Sequence, residues 1–232
     1  MYFDWTYVYM VLPAVLLSLW ASFRVKSTFR KYSTQYSSRG ITGAQAARML
    51  LDSKGLQHIQ IHKIGGELSD HFDPRTNEIS LSEGVYGSTS TAAIGVACHE
   101  VGHAIQHAEG YAPLKLRNAV IPISSIGSQL AIPLIFLGLA LSYFSQVFTY
   151  VAYFGIICFM GIIVFQLLTL PTEFDASRRA LAGIENRGFL SSDEAKGAKK
   201  VLSAAALTYV AALAVSVAQV LRFILILSSR RD

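Results

Sequence analysis

The stretch NAVIPISSIGSQLAIPLIFLGLALSYFSQVFTYVAYFGIICFMGIIVFQLLTLPT, residues 118–172, runs for 55 positions without a charge. As one α-helix rising about 1.5 Å per residue it would extend roughly 80 Å, whereas a bilayer's hydrocarbon core is about 30 Å thick. The stretch must therefore double back. Its most polar interruption is 142–146, which predicts two spans, 120–142 and 147–170, joined by a tight turn at headgroup level.

Two further apolar runs lie outside this hairpin. Residues 5–23 carry Trp5, Tyr7 and Tyr9 at one end, as interfacial anchors do, and 201–221 contains no charge over 21 residues. About four transmembrane helices are expected. The first run has no basic residue before it and no small-x-small site after it, so it reads as a retained anchor rather than a cleaved signal peptide. Composition agrees: 52% of the 232 residues are hydrophobic and only 15% charged.

Lysine and arginine set the orientation. Arg24, Lys26, Arg30 and Lys31 follow the first run, and Arg178, Arg179, Arg187, Lys196, Lys199 and Lys200 fall within 171–200, so both polar segments are expected in the cytoplasm. With four spans, Arg230 and Arg231 would lie outside, a conflict that an interfacial last helix would remove. The net charge of +5 sits mostly beside the membrane, where lipid headgroups account for it, and no nucleic-acid-binding motif is present. Cys98 and Cys158, in a predicted helix and a predicted span, make a disulfide framework unlike this chain.

The polar segment 24–118 is long enough for a small folded unit. Thr42 and Gln45 have capping-box spacing, and the helix they open should end at Gly55. Ile59 and Ile61 alternate with Gln60 and His62 as in a strand. A hairpin follows from Leu68–Phe72 and Glu78–Ser82, turned at 73–77 with Pro74. Ser88–Ser90 offers caps for a helix from Thr91 to Glu109, closed by Gly110.

That last helix carries the sequence HEVGH, residues 99–103. His99 and His103, four apart, project from one helical face and can share a metal ion, while Glu100 can act as general base on a water activated by zinc. A catalytic zinc needs a third protein ligand. His107 continues the series, but three ligands on one helix cannot converge at about 2 Å. Gln106 and Glu109 stand where the metzincin pattern requires glycine and histidine. Glu173, the first charge after the uncharged stretch, is the preferred third ligand, and Asp175 the lesser candidate, expected instead to contact the groups around the ligands, a histidine nitrogen among them. Arg178 and Arg179 could serve a developing oxyanion, but headgroup contact is the simpler reading; His62 and His71 are assigned no role.

Taken together, SDHFDP at 69–74, ISLS at 79–82 with Val85-Tyr86, HEVGHAIQH at 99–107 and PTEFDASRRAL at 171–181 resemble the bacterial YugP-type membrane zinc metallopeptidases. The layout is similar to the wider group of membrane gluzincins that includes the CAAX prenyl protease and the HtpX-type proteases. The resemblance implies that His99, His103 and Glu173 bind one zinc ion per chain and that Glu100 is the catalytic glutamate. It also implies that the strand at Ile79–Ser82 receives substrate as an added β-strand. One departure is Ser177, where the wider group often has aspartate four residues after the glutamate ligand.

The expected fold is thus a mainly α membrane protein with a small α+β zincin-like cytoplasmic catalytic domain. Its parts would be a first transmembrane helix in 1–23, the zincin-like domain with the HExxH helix in 24–118, and a transmembrane hairpin in 119–170. A cytoplasmic helical segment with the third ligand (171–200) and a fourth transmembrane helix with the tail (201–232) complete it. The expected function is a zinc-dependent endopeptidase of a bacterial inner membrane, multi-pass and facing the cytoplasm, acting on membrane or membrane-proximal proteins. Its partners would be peptide or protein substrates and the lipid bilayer, with room for a homo-oligomer or a membrane protein partner. The alternatives are a non-catalytic metal-binding membrane scaffold or assembly factor, or a transporter in which the motif is accidental.

Overall fold

A computed structural model describes residues 5–229. After a π-helical turn at Tyr7–Val11 the elements are α1 (Leu12–Tyr32), α2 (Gly43–Asp52), β1 (Gln60–Ile64), β2 (His71–Asp73), β3 (Glu78–Ser82) and α3 (Glu83–Tyr86). They are followed by α4 (Thr91–Glu109), α5 (Ala112–Leu141), α6 (Gln146–Arg187) and α7 (Ser192–Ser228). The chain divides into two compact units, one of residues 1–21, 115–170 and 208–232, the other of 22–114 and 171–207. Arg230 and Arg231 lie outside the described residues.

In the first unit, the uncharged stretch forms the ends of α5 and α6 that flank a turn at 142–145. The two helices approach closely because the facing residues are small: a β-carbon on Gly138 would come within 2.4 Å of the Ala152 backbone nitrogen. Ala131, Ile135, Ala152, Ile156, Phe159, Val220 and Phe223 form its buried cluster, and much of the remaining apolar surface is exposed, as on a lipid-facing bundle. Among the described residues, four helices, beginning at Tyr7, Ala112, Gln146 and Ser192, are long and apolar enough to cross a bilayer. The fourth continues past the uncharged run that ends at 221: the Arg222 guanidinium lies over the rings of Tyr7 on the first helix (5.3 Å) and Phe223 on its own (5.4 Å), so the cation has aromatic partners.

α6 carries the third apolar span straight on into the segment with Glu173, running through Pro171 without a break. Proline deprives the carbonyl four residues earlier of its donor, but helices of membrane proteins tolerate this through compensating bonds and small backbone adjustments.

The second unit follows its local signals closely. Thr42 and Gln45 form the reciprocal capping box of α2, whose apolar face buries Ala46, Ala47, Leu50 and Leu51. β3 buries Ile79 and Leu81 by alternation, and Asp73 Oδ1 accepts from the Arg75 backbone N–H (2.8 Å) to close the turn that leads to it. α4 begins at Ser90, whose hydroxyl accepts from Ala93 N–H (3.2 Å), and stops at Gly110, whose φ of 65° a β-carbon would strain. These elements share a core with Ala180 and Ile184 of α6 and Ala198 and Leu202 of α7.

The strand order is β1-β3-β2, parallel between β1 and β3 and antiparallel between β2 and β3. The expectation that Ile79–Ser82 receives an added substrate strand is therefore corrected. β3 is the central strand, with its hydrogen-bonding sides taken by β1, by β2 and, at Ser82 N–H, by Asp70 Oδ1 (2.7 Å). The open edges belong to β1 and β2.

Candidate metal centre

α4 places His99 and His103 one turn apart, with ring centroids 4.7 Å from each other. α6 brings Glu173 against them from a second direction: its Oε2 lies 3.3 Å from His99 Nε2 and 3.6 Å from His103 Nε2. One donor atom from each residue lies within 4.8 Å of the other two. A tetrahedral zinc ion with bonds of about 2.0–2.1 Å sets its ligand atoms about 3.3 Å apart, so two imidazoles and a carboxylate at these separations fit such an ion in type and spacing.

A glycine makes this convergence feasible. A β-carbon on Gly102 would stand 2.5 Å from the Ala176 carbonyl oxygen, so α4 and α6 meet backbone to backbone between the two halves of the donor set. Glu173, one turn before Ala176, is carried to the histidines by that contact.

Electrostatics tie the three side chains together. Burial opposes ionisation of Glu173, but hydrogen bonds from His103 and His99 outweigh it and hold the carboxyl well below its ordinary range. For His103, burial opposes protonation, and Glu173 and Glu100 more than reverse that, so its pKa is raised. A divalent cation bound here is thus coupled to release of a proton. Glu100 is 7% exposed, and burial pushes its carboxyl upward against the pull of His99 and His103, with Glu173 and Asp70 adding to the rise. A raised pKa makes the ionised carboxylate a stronger proton acceptor than an ordinary surface glutamate.

Each histidine has its far nitrogen held. His99 Nδ1 lies 3.1 Å from Ser177 Oγ, so a histidine that ligates through Nε2 donates its Nδ1 proton to this serine. His103 Nδ1 lies 3.1 Å from Gln106 Oε1, and the Gln106 amide nitrogen donates to the Thr172 carbonyl (2.8 Å) and to Asp175 Oδ2 (3.0 Å). Because both of those partners only accept, the amide orientation is fixed, its oxygen faces His103, and the proton sits on His103 Nδ1. Nε2 of each ring is left toward Glu173.

Asp175 therefore supports the histidine through Gln106 rather than by direct contact. It also receives Arg178 and Arg179, the latter at 2.5 Å and shared with Glu109 at 2.5 Å. Both arginines are ion-paired within the unit, Arg178 with an exposed side chain. His107 is exposed on the last turn of α4, its ring 5.8 Å from that of Phe72 on β2. His71 and His62 turn to Ser69 O and Glu78 respectively, away from the donor set.

Gln106 was missed by the sequence reading. Its signal was present: it lies three residues after His103 and seven after His99, on the same helical face, as a polar residue in an otherwise apolar setting.

A family model described as "Putative neutral zinc metallopeptidase" matches residues 7–228. The chain belongs to that family. It is also 46% identical over 227 residues, covering 97% of this chain and 98% of the relative, to the "Putative membrane protease YugP" of Bacillus subtilis (strain 168). No solved structure matches significantly.

Proposed function

We propose that the protein is a zinc-dependent endopeptidase of the bacterial inner membrane, with its site facing the cytoplasm and with membrane or membrane-proximal proteins as substrates. The observation that carries this reading is the convergence of His99, His103 and Glu173 within 4.8 Å, with buried Glu100 on the same helix as the histidines. His99 and His103 through Nε2, and Glu173 through Oε2, would hold a single zinc ion. Bound there, zinc supplies a Lewis acid that acidifies water toward a pKa of about 7 and polarises the scissile carbonyl.

The chain's own groups do the rest. Glu100 takes the proton of the attacking water and returns it to the leaving amine as the C–N bond breaks. Ser177 and Gln106 keep the two imidazoles in the tautomer that presents Nε2. An extended substrate has an open strand edge at β2, where Phe72 lies against His107 of α4, and main-chain pairing along that edge would lay a peptide beside the helix. The cytoplasmic orientation is supported by the basic residues that follow α1's apolar run and those within 171–200.

The test is Glu100→Gln in the full-length protein reconstituted in lipid. The variant should keep zinc near one per chain and lose peptide hydrolysis by several orders of magnitude, because it removes the base and leaves the ligands. Cleavage at the wild-type rate would falsify the mechanism.

A further inference from the structure

Away from the metal centre, α1 and the loop after β1 line a cavity of about 220 Å³ that is open to solvent. Lys26, Phe29 and Arg30 line it from the helix, and Gly66, Glu67 and Leu68 from the loop. Lys26 and Arg30 stand at i and i+4, so both cations face the same space. Neither forms an ion pair among the described residues, whereas Arg48, Lys63, Arg75, Arg178 and Arg179 all do. Glu67, also without an ion pair, puts one carboxylate on the same wall.

Two further features indicate a built site. Leu68 has φ of 54°, a left-handed conformation disfavoured for a residue with a β-carbon and kept only where its surroundings impose it, and its side chain is 41% exposed. The loop is not free to relax that strain easily, since Asp70 takes both the backbone N–H and the hydroxyl of Ser82, itself a lining residue. The second feature is depth. Lys26 follows Phe23, the end of the apolar run, by three residues, or about 4.5 Å of helix, and Arg30 by about 10 Å. The polar layer on each face of a bilayer is about 5–8 Å thick, so Lys26 falls within it, and Arg30, a turn further on, reaches back toward it because helical side chains tilt to the N-terminus.

We propose that this cavity binds the headgroup of a phosphoethanolamine-type phospholipid, with its phosphodiester on Lys26 and Arg30, its ammonium at Glu67, and the start of its acyl chains against Phe29 and Leu68. Two cations and one carboxylate around an apolar floor match a zwitterion of that kind better than a simple anion. The site is separate from the metal centre, and its occupancy does not depend on the peptidase reading.

The test titrates the full-length protein in a non-ionic detergent with dioctanoyl phosphatidylethanolamine, dioctanoyl phosphatidylglycerol and inorganic phosphate, counting bound molecules by native mass spectrometry. Wild type should prefer the phosphoethanolamine lipid. The Lys26→Ala/Arg30→Ala variant should bind it about 30-fold more weakly, and Arg24→Ala/Lys31→Ala, which removes equal charge from the same helix outside the cavity, should change it less than about twofold. Glu67→Gln should erase the preference over phosphatidylglycerol while leaving the protein folded, as an exposed substitution does. Any one of three results overturns the proposal: no saturable lipid binding by wild type, equal losses in the two double variants, or inorganic phosphate binding as tightly as the lipid. The first would make the cavity vacant of lipid, the second a diffuse charge effect, and the third a free-phosphate site.

Discussion

Gly102 lies so close to Ala176 that a β-carbon on it would stand 2.5 Å from the Ala176 carbonyl oxygen, with backbone rather than a yielding side chain as the obstacle. Gly102→Ala must therefore push α6 away from α4 and carry Glu173 out of range of the histidines. The expected cost is about 1–3 kcal/mol of stability from overpacking, with zinc affinity reduced more than about tenfold. Gly87→Ala, which meets nothing within 4 Å, is the matched control. Chelator competition and thermal unfolding measure both; a Gly102→Ala protein that holds zinc as wild type does would remove this glycine from the account of the site.

The link from His103 to Gln106 makes a second prediction. Gln106 is fully buried and is the hydrogen-bond partner that fixes the imidazole tautomer. Gln106→Leu fills similar volume but frees the ring and leaves the Thr172 carbonyl without this donor. Zinc affinity should fall about 10- to 100-fold, the usual effect of removing an outer-layer partner of a ligating histidine. Isothermal titration with zinc would read it, and an unchanged affinity would mean that packing alone orients His103.

Most of the second unit was legible because its signals are local. Thr42 with Gln45, Ser90 with Gly110, and the turn after Asp73 each act within a few residues, and each forms as its spacing predicts. The uncharged stretch likewise could only fold back. Strand order was less accessible: β3 looks like any alternating strand in the sequence, and its central position depends on β1 pairing with it from 18 residues upstream. The partners of Asp175 were hidden for a similar reason. A carboxylate on a helix is read from its neighbours in sequence, and the residue that decides its role, Gln106, lies 69 positions away.

Glu173 and Glu109 offer a contrast between two carboxylates of the same unit. Glu173 has a side chain 8% exposed and pairs with both histidines, whereas Glu109 is 55% exposed and pairs only with Arg179 among the ion pairs described. Glu173→Gln keeps the shape but removes the proposed anionic ligand, and should leave purified protein with well under one zinc per chain. Glu109→Gln should keep the full complement, since an exposed ion pair contributes about 0–1 kcal/mol to stability. Metal content by mass spectrometry of the two variants, prepared side by side, decides it. Equal zinc in both would displace Glu173 from the ligand set.

Cys98 stands directly before His99, so its sulfur is a competing donor by sequence alone. The helix turns about 100° between them, which sends the Cys98 side chain into the core shared with Ile94 and Val101 while His99 faces α6. Burial raises the thiol pKa to about 12, so at pH 8 only about one molecule in ten thousand carries the thiolate that reacts with maleimides or binds metal. In a Cys158→Ser background, maleimide should label none of the folded protein at pH 8 and one thiol per chain after denaturation. Zinc content should be unchanged by Cys98→Ala, at a stability cost of about 1 kcal/mol for the small volume lost. Rapid labelling of the folded chain, or loss of zinc in Cys98→Ala, would show that the thiol reaches the metal centre and that the donor set is not His99, His103 and Glu173 alone.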